Sequence, residues 1–162
     1  MNYTWKPASG ADIPDIVDMA VKHFQTEIDT IFKPEPVVYS RNITLAVVNQ
    51  FYMPILELLS VARDSDNKLV AYTWARADER APWSDDVMVV VRMAHVDLNL
   101  PSRDRVRLII DMMKLWEGFA KLANVSIVCS TTMRNDQTAF LKLHAKNGYD
   151  VRGSYAYKRV SA

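Results

Sequence analysis

Residues 87–98, VMVVVRMAHVDL, followed within a few positions by Pro101 and Ser102, decide the fold. This is the longest strand candidate in the chain, rich in β-branched residues and free of glycine and proline. Pro101 and Ser102 then introduce the best helical pattern, about residues 103–123. Val106, Ile109, Ile110, Met113, Trp116 and Ala120 line one face of that helix, while Arg105, Asp111 and Lys121 lie largely off it. Residues 125–131, VSIVCST, follow as a buried-looking strand.

Upstream of this centre the apolar period changes. Leu58 to Arg63 and Leu69 to Arg76 flank the turn signal Asp64-Ser65-Asp66-Asn67 and predict a β-hairpin. Their imperfect alternation predicts strands covered on both faces. Asp78 to Asp86, polar and containing Pro82, reads as a loop. Nearer the start, Tyr3 to Lys6 form a short strand closed by Pro7, Ser9 and Gly10. From Asp12, a plausible cap, Ile13, Ile16, Val17, Ala20, Phe24 and Ile28 fall at helical spacing, with Pro14 tolerated in the first turn. Phe32 to Pro36 break that helix, and a second runs from about Ser40 to Phe51 before Pro54. Downstream, Asn135 caps a short helix from Asp136 to Lys146 that Gly148 stops, and Tyr149 to Val160 supply a last strand bent at Gly153. The order predicts one domain over residues 1–162 of mixed α/β (α+β) class. Its sheet is mixed and mostly antiparallel, with helices on both faces.

Composition removes several function classes. A chain of 162 residues with 49% hydrophobic positions buries a core without metal or disulfide staples. Twenty Lys and Arg against 19 Asp and Glu exclude binding to nucleic acid or to an anionic membrane through bulk charge. No apolar run approaches the ~20 residues needed to span a bilayer, and the start lacks a signal-peptide layout. Three histidines and the single Cys129 leave no disulfide framework and little room for a zinc site, and they suit a reducing cytoplasm. The four glycines, Gly10, Gly118, Gly148 and Gly153, put any glycine-rich phosphate loop at a disadvantage.

The order of elements, with the block QTAFLKLHAKNGY at residues 137–149, resembles the GCN5-related N-acetyltransferase superfamily from Tyr3 to Val160. The resemblance implies an acyl-CoA N-acyltransferase fold, acetyl-CoA as cofactor and a small amine or protein amine as acceptor. The family places a Q/R-x-x-G-x-G/A signature where the fourth strand meets the third helix. There glycines admit the pyrophosphate and the helix start supplies amide donors. Laid on this chain, the signature falls on Arg103-Asp104-Arg105-Val106-Arg107-Leu108. The leading arginine matches, but Val106 and Leu108 replace both small residues, so the resemblance implies a degraded loop and weakened or lost acetyl-CoA binding. Arg103, Arg105 and Arg107 compensate if they pair with phosphate. At i, i+2 and i+4 on a helix, however, they point in different directions, and the alternative is a solvated, arginine-rich helix start.

The family's proton donor to the departing thiolate falls on His144, whose alternative is a partly exposed helix histidine. Its pantetheine-binding asparagine falls on Gln137. Arg92 holds a frequent base position and cannot be a base. A bulge in that strand brings His95 or Asp97, two residues apart on one face, into play. The alternative for His95 is a satisfied core or edge histidine. The amide that polarises the thioester comes from the strand end near Leu98. Cys129 reads as a small buried residue. Trp74, Trp83 and Trp116 read with the eight methionines as core, Trp83 having an acceptor groove as its second reading. Asp78, Glu79, Asp85 and Asp86 are solvated turn residues or attract a cationic amine. In the family the cofactor arm enters a cleft between the fourth and fifth strands, and a cleft plugged by Met93, Trp116 or Phe140 is incompatible with catalysis. The family also includes small phage-encoded members carried in the virion, which implies an alternative: a non-catalytic copy of the fold, in a homo-oligomer or among virion proteins.

Overall fold

The computed structural model describes residues 2–27, 32–132 and 137–153. Five strands, β1 (Tyr3–Pro7), β2 (Glu57–Asp64), β3 (Leu69–Arg80), β4 (Val87–Val96) and β5 (Ile127–Ser130), form one sheet in that order. The first four are antiparallel neighbours and β5 runs parallel to β4. Helices α1 (Ile13–Glu27) and α2 (Pro36–Tyr52) lie between β1 and β2, α3 (Ser102–Leu122) between β4 and β5, and α4 (Thr138–Lys146) after β5.

Each face of the sheet has its own core. On one, Leu108, Met112 and Trp116 of α3 pack against Val70, Ala75, Val89 and Val91. On the other, Ile16 and Ala20 of α1 with Ile43 and Ala46 of α2 cover Leu59, Val61 and Tyr72. This double coverage explains the broken alternation: Leu59 to Ala62 and Leu69 to Thr73 are buried at every position.

Several boundaries differ from the sequence reading for local reasons. Pro36 opens α2 at its first turn, where a missing N–H costs nothing, so the helix starts before Ser40. Ser9 is the cap ahead of α1. Asp12 reaches back to it from a single 3-10 turn, accepting the Ser9 amide and hydroxyl at 2.9 Å each. β3 continues through Asp78, Glu79 and Arg80, so the loop is confined to residues 81–86. Trp83 in that loop is 86% exposed and fills no core, and Cys129 is half-buried. Gly148 stops α4 with φ of +85°, as expected. Asn135 and Asp136 lie outside the described residues, and α4 starts after Gln137. Tyr149 to Gly153 are not in a strand, and the rest of the expected last strand lies outside the described residues. No helix among the described residues is long and apolar enough to cross a membrane.

Candidate active site

β4 and β5 stay paired only from Met88 and Ile127 to Val91 and Ser130. Immediately beyond, the register of β4 with β3 slips: Ala75 pairs with Val91 but Trp74 pairs with Met93, leaving Arg92 as the extra residue of a bulge. A bulge bends its strand and adds twist, so the later half of β4 turns away from the line of β5. Among the described residues no strand pairs with that edge of β4 past Val91. The β4–β5 ladder ends here.

The bulge is held from the α3 side. Trp116 Nε1 donates to Thr73 Oγ1 at 2.8 Å, and the Thr73 hydroxyl donates to the Met93 carbonyl at 2.9 Å. Both side chains are fully buried, so the relay satisfies polar groups that have no access to water. Of the side chains able to plug a cleft here, Met93 packs in the α1/α2 core, while Trp116 and Phe140 of the α3 core lie beside His144, with ring centroids 6.2 and 4.2 Å from its own.

His144 sits where that ladder ends. It is 2% exposed, which removes the reading of a partly exposed helix histidine. Nδ1 lies 2.9 Å from the Phe140 carbonyl, which only an N–H can serve, so Nε2 accepts the Ser130 hydroxyl at 3.0 Å. Phe140 and Tyr149 flank the ring at centroid distances of 4.2 and 5.0 Å. Burial pushes the imidazole below its ordinary 6.5, against the opposing pull of the Phe140 carbonyl, and keeps it neutral at neutral pH.

The turn that joins β4 to α3 is built on Asp97. Oδ1 accepts the Asn99 amide at 3.0 Å and its Nδ2 at 2.9 Å, and Oδ2 pairs with Lys68 at 2.8 Å. Burial alone would raise this carboxyl; Lys68 and the Asn99 donors outweigh it and hold Asp97 below the usual range. Leu98 lies half-buried in this turn. α3 starts at Ser102 after Pro101, so residues 103–108 lie inside its first two turns. Arg103 points to solvent, and Arg107 stands 5.3 Å over the Tyr3 ring. Arg105 donates to Ser102 Oγ at 3.2 Å, while its buried Nε finds no acceptor among the described residues. The three arginines do diverge. Val106 is 45% exposed and Leu108 is fully buried in the α3 core, turned away from the junction. Gln137 is exposed at the start of α4.

His95 and Asp97 are both buried but serve different partners: His95 Nε2 meets His23 Nδ1, and Asp97 meets Lys68 and Asn99. Arg92 pairs with Glu79. The sequence reading missed Ser130, Thr73, His23 and Ser102. Ser130 had a signal, as a polar end to an apolar strand, and so did Ser102, as a small residue at a helix start. The contacts of Thr73 and His23 cross 43 and 72 positions and leave no local mark. It also missed Glu57, a buried carboxylate bonded by Trp74 Nε1 and Asn49; burial raises its pKa despite these donors and the nearby Arg76. No group of three or more His, Cys, Asp or Glu among the described residues is placed to hold a metal.

No protein-family model matches the sequence, and no curated protein matches it. Solved structures do match in shape. A predicted acetyltransferase with acetyl-CoA from Clostridium acetobutylicum is similar over 98% of this chain and 96% of its own, at 12% identity and a TM-score of 0.72. AAC(6')-Iy, in complex with the bisubstrate analog CoA-S-monomethyl-acetylneamine, is similar over all of both chains, at 9% identity and a TM-score of 0.73. Aminoglycoside 6'-N-acetyltransferase AAC(6')-Ih from Acinetobacter baumannii is similar over 99% of this chain and 100% of its own, at 14% identity and a TM-score of 0.68. With its short parallel β4–β5 ladder, its bulged fourth strand and a helix springing from that strand's end, the chain has the fold of the GCN5-related N-acetyltransferases.

Proposed function

We propose that this chain transfers an acetyl group from acetyl-CoA to an amine. The observation that carries the reading is the bulge at Arg92 in β4, where the β4–β5 ladder ends at Val91 and Ser130. What supports cofactor binding is the set of donors at the start of α3. Asp104 and Arg105 amides already bond the Pro101 carbonyl, which leaves those of Ser102 and Arg103 for phosphate oxygens. The orphaned Nε of Arg105 adds a donor, and Leu108 does not crowd the turn.

Acetyl-CoA supplies an activated acyl group whose thioester carbonyl gains negative charge as an amine attacks. In this reading the chain does the rest. Ser102, Arg103 and Arg105 hold the diphosphate. Edge amides of β4, from the bulge to the strand end near Leu98, receive the pantetheine arm and polarise the carbonyl, with Gln137 bonding the arm from α4. His95 takes the proton of the incoming ammonium, and Asp97 fixes the turn. His144, neutral at rest, would relay the second amine proton, lost as the amide forms, through Ser130 Oγ to the departing sulfur. The acceptor approaches past Trp83, Asp85 and Asp86, where exposed carboxylates favour a cation. A cytoplasmic setting suits the lone half-buried thiol of Cys129.

Isothermal titration with acetyl-CoA tests this: one molecule bound per chain is expected. Absence of heat at any concentration, with a closed ring or shell of copies by light scattering, would leave the alternative of a non-catalytic virion scaffold.

A further inference from the structure

Two helices of similar length carry very different surfaces. α3 has eight charged residues among its 21, none of them buried, opposite one apolar face. α2 has a single charge, Arg41, in 17 residues. Its inner face is accounted for, since Ile43 and Ala46 are buried against the sheet. Its outer face is apolar as well: Val37 is 82% exposed, Leu45 53%, Val48 45%, Phe51 79% and Tyr52 75%. A helix apolar on every side is one that is covered on every side.

The spacing makes this outer face a stripe. Val38, Leu45 and Tyr52 stand seven positions apart, about two turns each, and Val48 fills the row between the last two. At its C-terminal end the stripe runs into an apolar groove of 890 Å³ between α2 and α3, walled by Val48, Phe51 and Tyr52 on one side and Leu115, Phe119 and Leu122 on the other. The exposed side chains of α2 together present on the order of 700 Å² of largely apolar surface. That exceeds the patch of about 300–600 Å² a monomer ordinarily shows and approaches the ~800 Å² that each partner of a standard interface buries.

We propose that this stripe is a two-fold interface with a second copy of the chain, the two α2 helices packed antiparallel with Leu45 at the dyad. The inference is independent of the acetyl-transfer reading. A dyad at Leu45 sets Val38 of one copy against Tyr52 of the other, and Val37 against Met53, which is 42% exposed. Each smaller residue thus meets a larger one, as a self-complementary surface requires. Arg41 comes opposite the neutral Asn49, so no like charges meet. Side chains of these sizes let the helix axes approach to about 8–10 Å. With one charge in the stripe there is little to select a foreign protein. A membrane-surface helix keeps a basic face toward the headgroups, whereas the inner face of α2 is occupied by the sheet.

Sedimentation equilibrium of the full chain is expected to give a dimer at micromolar concentration. Leu45→Glu sets two carboxylates face to face on the dyad and is expected to weaken dimerisation about a hundredfold or more. Its circular dichroism spectrum should match wild type, because Leu45 lies outside the core. In a Cys129→Ala background, Leu45→Cys is expected to form an interchain disulfide under mild oxidation, and Ser65→Cys, exposed in the β2–β3 turn, is not. A wild-type chain monomeric at every concentration, a dimer that a folded Leu45→Glu leaves intact, or a Leu45→Cys dimer that does not cross-link overturns the proposal. So does a monomer that co-sediments with phosphatidylcholine vesicles, which would assign the stripe to a lipid surface.

Discussion

The two faces of the sheet differ in what they bury. On the α3 face a relay runs from Trp116 to Thr73 to Met93 between fully buried side chains, and the neighbouring His144 stacks beside Trp116. On the α1/α2 face lie His23, His95, Glu57 and Asp12, buried groups that can change charge. One face fixes the bulge, and the other holds protons near it. A buried hydroxyl that never titrates holds shape at every pH, whereas buried imidazoles and carboxylates make their surroundings pH-dependent.

Substitutions on the two faces should therefore fail differently. The largest effect is expected from Trp116→Ala, about 3–5 kcal/mol of stability by denaturant unfolding, since a fully buried indole leaves a cavity. Trp116→Phe keeps most of the volume but strips Thr73 of its donor, and about 1–3 kcal/mol is expected. An equal loss in both variants would mean that the relay, not the packing, dominates that face. Leu108→Ala comes next, at about 2–5 kcal/mol with no gain in acetyl-CoA affinity, because this leucine belongs to the core and not to the phosphate turn.

On the other face, Arg63→Ala removes the guanidinium that pairs with Asp12 and Asp15 at 2.7 Å each and ties α1 to β2. It leaves the buried Asp12 with the Ser9 donors and, as a cationic partner, the exposed Lys6 at 3.6 Å, and about 3 kcal/mol is expected. Burial would raise Asp12, but the Ser9 and Arg63 bonds hold it below the usual range. Its contribution is thus present above the unfolded carboxyl pKa and lost as pH falls through the lower folded one. Thermal melts between pH 5 and 2 should show this loss in wild type and not in Arg63→Ala.

Two smaller effects complete the comparison. His144 is held below 6.5, so stability should be full above that pH and decline as pH falls toward the folded pKa, where the unfolded chain binds the proton more readily. His144→Phe should flatten that decline, and an unchanged slope would assign it to other groups. Val106→Gly, at an exposed helix position, should cost about 1 kcal/mol and leave cofactor affinity unaltered.

What the sequence disclosed follows from how local each signal is. Apolar period and turn chemistry revealed the hairpin of β2 and β3, the long β4 and the amphipathic α3, because each depends on neighbours within a few positions. The start of α3 was also visible in Pro101 and Ser102. The structure puts the strand–helix junction at residues 97–102, so Arg103 to Leu108, where the signature was laid, lie within the helix, Val106 exposed and Leu108 in the core. The bulge was legible only as a possibility, because its position depends on how β3 pairs with β4. The engagement of His95 by His23 was not legible at all, since it depends on the docking of a helix that ends before residue 28.

The brevity of β5 carries a mechanical consequence. Among the described residues, four residues of parallel ladder attach that strand to the sheet, and parallel ladders are slightly weaker per residue than antiparallel ones. Backbone amides of Ile127 to Ser130 should then exchange hydrogen for deuterium far sooner than those of β2 and β3, through an opening that leaves the four-stranded meander intact. A molecule that loosens along this seam first can widen its mouth for a bulky donor without melting its scaffold.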